Sequence, residues 1–170
     1  MKRIIALISA LIIGLPAVFG QDADSQYATE MLKRRDKAPE TVIPKLDGTP
    51  WSVKDLRGKY IVLQFWATWC PDCVAEMPKM AEAYKKYASD RVRFVGVSFD
   101  TDREKLENYL KDNGIEWLQV SDLKKKKESP VAEAFQIKWI PAFYLIDPIG
   151  RVVLGTVIPE KIFAELDKLK

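Results

Sequence analysis

The two cysteines of the chain, Cys70 and Cys73, are spaced C-x-x-C directly behind an apolar run over residues 60–68. The run predicts a buried strand that ends at Cys70, where a helix begins with Pro71, which suits the first helical position because it has no N–H. A sulfur at a helix N-terminus lies near unpaired N–H groups and the positive end of the helix dipole, and both lower the pKa of a thiol. The short spacing also lets Cys73 close a disulfide. The motif therefore predicts reversible dithiol chemistry in which Cys70 attacks and Cys73 resolves.

Other uses of a cysteine pair fit the composition less well. A structural disulfide stabilises most when it closes a long loop, and C-x-x-C closes a very short one. A zinc site draws most of its ligands from Cys and His, and because this chain has no histidine it would need a partner chain to complete one. The missing histidine also excludes a Cys-His nucleophile pair and a C-x-x-C-H haem attachment site. A redox pair is the best interpretation, and we expect neither a metal nor a cofactor.

Residues 1–20 have the pattern of a secretory signal peptide. Lys2 and Arg3 precede an apolar stretch from Ile4 to about Pro16, and the residues before Gln21 offer a cleavage site. The alternative is an uncleaved membrane anchor, because the apolar segment is only slightly shorter than the about 20 residues that a membrane span prefers. We expect an exported protein, either free in the periplasm or tethered to the outer face of the inner membrane, with contact to the membrane only through this segment.

The charge balance limits the possible partners. Without Lys2 and Arg3, the chain has 25 basic and 24 acidic side chains. A net charge this close to zero argues against nucleic acid as a partner. The remaining residues, about 150, can bury one core, so we expect one domain and a monomer.

Patterns of apolar and polar residues predict the organisation of the domain. Polar residues 21–37 are predicted to form a tether or a loosely docked helix, and residues 38–170 to form an α/β domain that starts with a β-hairpin around Asp47 and Gly48. Helical and strand patterns then alternate, and a late strand pair precedes an amphipathic terminal helix. This order predicts a three-layer sandwich, with a central mixed β-sheet and helices on both faces. Predicted helices cover residues 74–89, 101–114, 130–135 and 160–169, and further strands cover 91–99, 115–120, 142–146 and 151–155.

At two places the residues match a known family. The first is the run from Phe65 to Cys73 with the Glu76-x-Pro78 that follows it, and the second is Trp139-Ile140-Pro141-Ala142-Phe143 with the later Asp147 and Gly150. Over roughly residues 38–170 the chain resembles the thioredoxin-like superfamily, and within it the exported TlpA/ResA-type thiol-disulfide oxidoreductases. The resemblance implies a thioredoxin-like fold in which the strand-helix unit over residues 91–120 is the insertion of that group.

The second motif implies a substrate-binding place opposite the cysteines. Pro141 matches the cis-proline that faces the C-x-x-C in this fold, which leaves the backbone of Ile140 free to pair with an extended substrate segment. Without the resemblance, an ordinary trans proline that opens a strand is an equally good interpretation. Of the tryptophans beside the cysteines, we expect Trp66 in the core and Trp69 at the surface, where it can contact a substrate.

Glu76 is the candidate for proton transfer. It lies three residues past Cys73 on the same predicted helix, and ResA-like proteins use a glutamate at the matching place. The alternative is a solvated glutamate in the first turns that only favours the helix dipole. Thioredoxin has a buried aspartate where this chain has Gln64, and an amide cannot carry a proton. This departure leaves Glu76 as the acid-base candidate.

The residues between the cysteines are expected to tune the redox pair. The acidic Asp72 that follows Pro71 is unlike the Gly-Pro of thioredoxin and the Pro-His of strong oxidants. A carboxylate beside Cys70 disfavours the thiolate, and oxidising power in this chemistry comes from a stabilised thiolate. Asp72 should therefore make the pair more reducing, unless it points into water and has little effect.

The sequence thus predicts an enzyme that reduces disulfides of exported proteins and is re-reduced by a membrane thiol-disulfide transporter. A disulfide oxidase or isomerase is the alternative. A thiol peroxidase is less consistent with the motif, because Thr68 stands two residues before Cys70 and the peroxidase motif has a threonine three before. A non-catalytic binding module is disfavoured by the intact C-x-x-C.

Overall fold

A computed structural model describes residues 22–169 of the chain. The predicted signal peptide or anchor lies outside the described residues. No helix between residues 22 and 169 has both the length and the apolar character that crossing a bilayer requires. The helices are α1 Ala23–Tyr27, α2 Pro71–Tyr87, α3 Arg103–Asp112, α4 Pro130–Ala134 and α5 Pro159–Asp167, with short 3₁₀ turns at Val53–Leu56 and Lys126–Glu128. The strands are β1 Ile43–Pro44, β2 Pro50–Trp51, β3 Tyr60–Trp66, β4 Val92–Ser98, β5 Leu118–Val120, β6 Ala142–Ile146 and β7 Val152–Thr156.

The predicted mixed sheet is confirmed. Five strands lie in the order β5-β4-β3-β6-β7, and the short β1-β2 hairpin forms a separate antiparallel pair. Strands β3, β4 and β5 run parallel, whereas β6 and β7 run antiparallel to their neighbours. The strand-helix unit predicted over residues 91–120 is present as β4, α3 and β5. Long crossovers are needed between parallel strands, and α2 and α3 supply them.

Helices cover both faces of the sheet because successive side chains of β3 point to opposite sides. Gln64 faces Met77 of α2, and the Trp66 ring packs against Tyr109 of α3. Phe65, between them, packs on the other face against Phe135 at the end of α4. The apolar run that predicted a buried strand therefore packs against helices on both faces of the sheet. As a result, the C-terminal end of β3 lies in the centre of the molecule.

The N-terminal segment begins with the short helix α1 and is docked on the domain. Residues 22–38, here called the N-terminal strap, follow the edge of the domain from α5 to β7. The Arg35 N–H donates to the Val152 carbonyl at 2.8 Å, and the Val152 N–H donates to the Asp36 carbonyl at 2.9 Å. The strap therefore pairs with the edge strand β7, whose backbone groups are the usual attachment point for an extra segment.

Two carboxylates hold the first turn of the strap: Asp22 pairs with Lys161, and Asp24 makes the larger number of contacts. Asp24 accepts hydrogen bonds from the Thr156 hydroxyl and from the Val157 N–H, each at 2.8 Å, and from Lys161 Nζ at 2.6 Å. Further along, the Leu32 N–H donates to the Tyr144 hydroxyl at 2.9 Å. The polar composition of the strap gave no sign of these partners, because they lie more than a hundred residues away in the sequence.

Replacement of Asp24 by alanine should loosen the strap. It leaves the Val157 N–H and the buried Thr156 hydroxyl without their acceptor, so we expect the free energy of unfolding to fall by about 1–3 kcal/mol. Urea unfolding followed by circular dichroism measures the change. Glu30→Ala is the matched control, because Glu30 is exposed and only pairs with Lys138, so its removal should cost at most about 0.5 kcal/mol. Equal losses for the two variants would show that the strap is not held by Asp24.

Candidate active site at the Cys70–Cys73 pair

Cys70 and Cys73 form a disulfide, with Cα atoms 5.2 Å apart. Cys73 is fully buried, whereas Cys70 keeps 6% of its surface exposed. A substrate sulfur can therefore reach Cys70 and not Cys73. This difference in access agrees with the predicted roles of attacking and resolving cysteine.

Cys70 occupies the N-cap of α2, and Pro71 is the first helical residue, as predicted. The Cys73 N–H points at Cys70 Sγ over 3.2 Å, so the sulfur faces one of the free donors at the helix N-terminus. The same donor and the helix dipole will stabilise a Cys70 thiolate once the disulfide is reduced. The strand does not reach the cysteine, however: β3 ends at Trp66, and a short loop carries the chain to Cys70.

A residue that the sequence analysis missed fixes this loop. Asp100 is 4% exposed, and its carboxylate accepts hydrogen bonds from the Thr68 N–H at 3.0 Å, the Thr68 hydroxyl at 2.6 Å and the Ser98 hydroxyl at 2.7 Å. Thr68 stands two residues before Cys70. Asp100 is thus a positioning residue that ties the cysteine loop to the end of β4. One sequence feature could have indicated this role: Ser98-Phe99-Asp100 stands at the C-terminal end of a buried strand, where polar side chains of an α/β sheet often belong to a functional site.

The two tryptophans lie where the sequence analysis expected them. Trp66 is fully buried, and its Nε1–H donates to the side chain of Gln119 at 3.0 Å. Trp69 is 58% exposed, and its Nε1–H donates to the Phe99 carbonyl at 3.4 Å. Trp69 therefore presents an aromatic face next to Cys70. Its contact with a substrate stays a prediction.

The second motif lies directly beside the disulfide. The Ile140–Pro141 peptide bond is cis, as predicted, and the Ile140 carbonyl oxygen is 3.8 Å from Cys70 Sγ. Among residues 22–169, the Ile140 N–H has no backbone hydrogen-bond partner. A backbone donor without a partner beside a reactive sulfur is what an extended substrate segment needs for pairing. The sheet thus brings together two motifs that are 70 residues apart in sequence.

A groove of about 390 Å³ opens next to these residues. We call it the redox groove, and it is lined by Ala23, Tyr27, Asp72, Ala75, Glu76, Trp139, Ile140, Pro141 and Val157. It thus contains four of the residues proposed from the sequence, together with two from the N-terminal strap. The polar residues of the strap gave no indication that it would take part.

Glu76 is half-buried in the redox groove and forms an ion pair with Lys79 at 2.9 Å. Lys79 also contacts Glu160 of α5 at 2.7 Å. The hydrogen bond that Lys79 donates to Glu160, followed by the one it donates to Glu76, raises the pKa of Lys79, and the same contact lowers the pKa of Glu160. Lys79 therefore stays a cation that holds both carboxylates in place. This position makes Glu76 available to a bound substrate, and its part in proton transfer remains a prediction.

Gln64 and Asp72 complete the surroundings of the cysteines. Gln64 is buried next to Met77, and its side-chain oxygen has no hydrogen-bond partner among the described residues. The buried position behind the cysteines is thus occupied by an amide, which carries no titratable proton. Asp72 is exposed and forms no ion pair within residues 22–169. In the same part of the chain, no group of three or more His, Cys, Asp or Glu side chains is arranged to hold a metal ion.

Removal of the Asp100 carboxylate should loosen the cysteine loop. In Asp100→Ala the Thr68 and Ser98 donors lose their acceptor, so we expect the free energy of unfolding to fall by about 2–4 kcal/mol and the rate of disulfide exchange to fall about tenfold or more. Urea unfolding and an insulin-reduction assay measure the two effects. In Ser98→Ala the contact of Asp100 with Thr68 remains, so exchange should stay within about twofold of the wild-type rate. An Asp100→Ala variant with normal exchange would contradict this role.

Comparisons with known proteins agree with the site. The model of the AhpC/TSA family matches residues 35–154. A thiol-disulfide oxidoreductase ResA of Bacillus cereus is 32% identical over 167 residues, which cover 98% of this chain and 88% of the relative. The match thus extends over nearly the whole of both chains.

Solved structures agree as well. A thiol-disulfide oxidoreductase from Bacteroides fragilis NCTC 9343 is similar with a TM-score of 0.68 and 29% identity, over 79% of this chain and 100% of that one. A thiol:disulfide interchange protein of the thioredoxin family from Chlorobium tepidum TLS is similar with a TM-score of 0.65 and 31% identity, over 81% of this chain and 97% of that one. This chain therefore belongs to the AhpC/TSA family of thioredoxin-like proteins, and with its Cys70–Cys73 pair it is a thiol-disulfide oxidoreductase.

Proposed function

We propose that this oxidoreductase works as a reductant of disulfides in exported polypeptides. The observation that carries the exchange chemistry is the asymmetry of the pair: Cys70 is accessible and lies against the Ile140 backbone beside the redox groove, whereas Cys73 is buried. A polypeptide that is bound to Cys70 as a mixed disulfide is released in reduced form when Cys73 attacks. The similarity to ResA proteins supports the same chemistry.

The reaction transfers two electrons from the reduced pair to the substrate. The Cys70 thiolate attacks one sulfur of a substrate disulfide, which forms a mixed disulfide and releases the other substrate sulfur as a thiolate. Cys73 then loses its proton and attacks Cys70 Sγ, which forms the Cys70–Cys73 disulfide and releases the second substrate sulfur. Each released thiolate takes up a proton. Glu76, in the groove beside the mixed disulfide, accepts the Cys73 proton and passes it to the leaving sulfur.

Two charges act on Cys70 in opposite directions. The N-terminus of α2 favours the thiolate, and the carboxylate of Asp72, two residues along the chain, disfavours it. A strong oxidant needs a stabilised thiolate in its reduced form. Asp72 therefore shifts the pair toward reduction of its substrates, and the exposure of this side chain limits the size of the shift. An oxidase or isomerase with the same pair would need surroundings that stabilise the Cys70 thiolate more strongly.

The cellular setting belongs to the same proposal. Export by residues 1–20 would place the domain in the periplasm or at the outer face of the inner membrane. There the oxidised pair needs a source of electrons, for which a membrane thiol-disulfide transporter is suitable. We expect the domain to act as a monomer; one chain supplies both cysteines and the residues that line the redox groove.

The reduction potential of the pair tests the direction of electron flow. We expect a value near or below about −270 mV, the value of thioredoxin, in a dithiothreitol redox buffer read by tryptophan fluorescence. In Asp72→Asn the loss of the carboxylate should raise the potential, whereas Asp112→Asn, an exposed change on α3, should leave it unchanged. A potential above about −180 mV would assign the protein to isomerases and oxidants.

Substitution of Glu76 tests its part in the second step. In Glu76→Gln the attack of Cys73 on the mixed disulfide should slow by about tenfold to a hundredfold, and the first attack by Cys70 should keep its rate. Rapid mixing with a disulfide substrate, followed by acid quenching and mass spectrometry, separates the two steps. Glu160→Gln is the matched control, since it also removes one partner of Lys79 and leaves the redox groove intact. If both variants release the product at the wild-type rate, Glu76 has no role in proton transfer.

A further inference from the structure

The lining of the redox groove comes from four separate parts of the chain. The start of α2 contributes Asp72, Ala75 and Glu76, the loop before β6 contributes residues 139–141, and Val157 follows β7. The N-terminal strap contributes Ala23 and Tyr27, here called the strap wall. A substrate segment that fills the groove beside Ile140 therefore contacts both α2 and the strap.

The strap wall is fixed rather than loosely placed. The Tyr27 ring meets the Trp139 ring edge to face, with centroids 5.0 Å apart. Three residues earlier, Asp24 is bound to Val157 and Lys161, so Tyr27 belongs to a short helix that is anchored at its start. Because the aromatic pair is preorganised, a substrate can use it without an ordering cost.

The charges that line the groove all have the same sign. Asp72 and Glu76 are the only Asp, Glu, Lys or Arg side chains among its lining residues. Lys79 neutralises part of this charge, but it is shared between Glu76 and Glu160. Asp72 has no ion-pair partner among the described residues. The groove therefore keeps a negative charge that a bound substrate can balance.

The aromatic residues of the groove favour the same kind of partner. Trp139 lines the groove and is 55% exposed, and the Tyr27 ring meets it at an interplanar angle of 71°. The face of a tryptophan attracts ammonium and guanidinium groups, and guanidinium groups also stack on it. Carboxylates and an open indole within one groove are complementary to a positively charged side chain.

We propose that the redox groove selects disulfides in which a basic residue, Arg or Lys, flanks the cysteine that Cys70 attacks, and that the N-terminal strap is part of this selection. The proposal rests on the proposed reductase function. The substrate backbone pairs at Ile140, and its basic side chain lies between Asp72 and the aromatic pair of Tyr27 and Trp139. A flanking acidic residue would meet the carboxylates and be rejected.

The test compares synthetic peptide disulfides that differ in one residue next to the cysteine: arginine, its neutral isostere citrulline, or glutamate. The reduced full-length protein is mixed with each peptide, and the second-order rate constant is read from tryptophan fluorescence. Each value is divided by the rate constant of dithiothreitol with the same peptide, which removes differences in intrinsic reactivity. We expect a normalised arginine-to-citrulline ratio of about ten, a glutamate value below that of citrulline, and a smaller ratio at high salt.

Matched variants assign the preference to the groove. Asp72→Asn should reduce the arginine-to-citrulline ratio at least threefold, and Asp112→Asn on α3 should preserve it, whatever either change does to the absolute rates. Tyr27→Ala should also reduce the ratio, whereas Tyr27→Phe keeps the aromatic wall and should preserve it.

The outcomes separate this inference from the function on which it rests. Equal normalised rates for the three peptides would overturn the preference and would not affect the reductase function. The same conclusion would follow if Asp72→Asn left the arginine-to-citrulline ratio unchanged. If the wild-type protein reduces none of the peptides faster than a Cys70→Ser variant does, the reductase function fails and the inference fails with it.

Discussion

The antiparallel register that places Phe65 opposite Ala142 is the constraint on which the redox site depends. It brings the end of β3, with the cysteine loop behind it, to the same edge of the sheet as the start of β6, with Ile140 and Pro141 before it. A slip by one residue would turn every side chain of β6 to the wrong face. Burial on both faces of β3 prevents such a slip, so the core of the domain directly determines the distance between Cys70 and Ile140.

Contacts at the end of the neighbouring strand refine this arrangement. In the parallel pair of β3 and β4, Trp66 lies opposite Ser98, and Asp100 follows just beyond. Its carboxylate binds the loop before Cys70, as described above, and so the disulfide is held from the β4 side as well as from the β6 side. The N-cap position of Cys70 is therefore a result of tertiary structure and not only of the local sequence.

The sequence predicted the parts of the site that depend on local patterns. The apolar run of β3, the helix start at Pro71 and the exposure of Trp69 all follow from residue types over a few positions. The cis form of Pro141 was expected only from a family resemblance, because proline itself allows both isomers. Asp100 and the N-terminal strap were missed for a common reason: their polar groups have partners far away in the sequence. Hydrophobic patterning carries no information about which buried donors a distant carboxylate will satisfy.

The single accessible sulfur has a kinetic consequence. The chain contains no third cysteine, so electrons cannot enter at one place and leave at another. Under the proposed function, whatever reduces the Cys70–Cys73 disulfide has to reach Cys70 through the same groove that receives substrates, and the two reactions must alternate. Turnover will therefore follow a ping-pong scheme, in which an excess of either partner occupies the groove in the wrong redox state and slows the other half of the cycle.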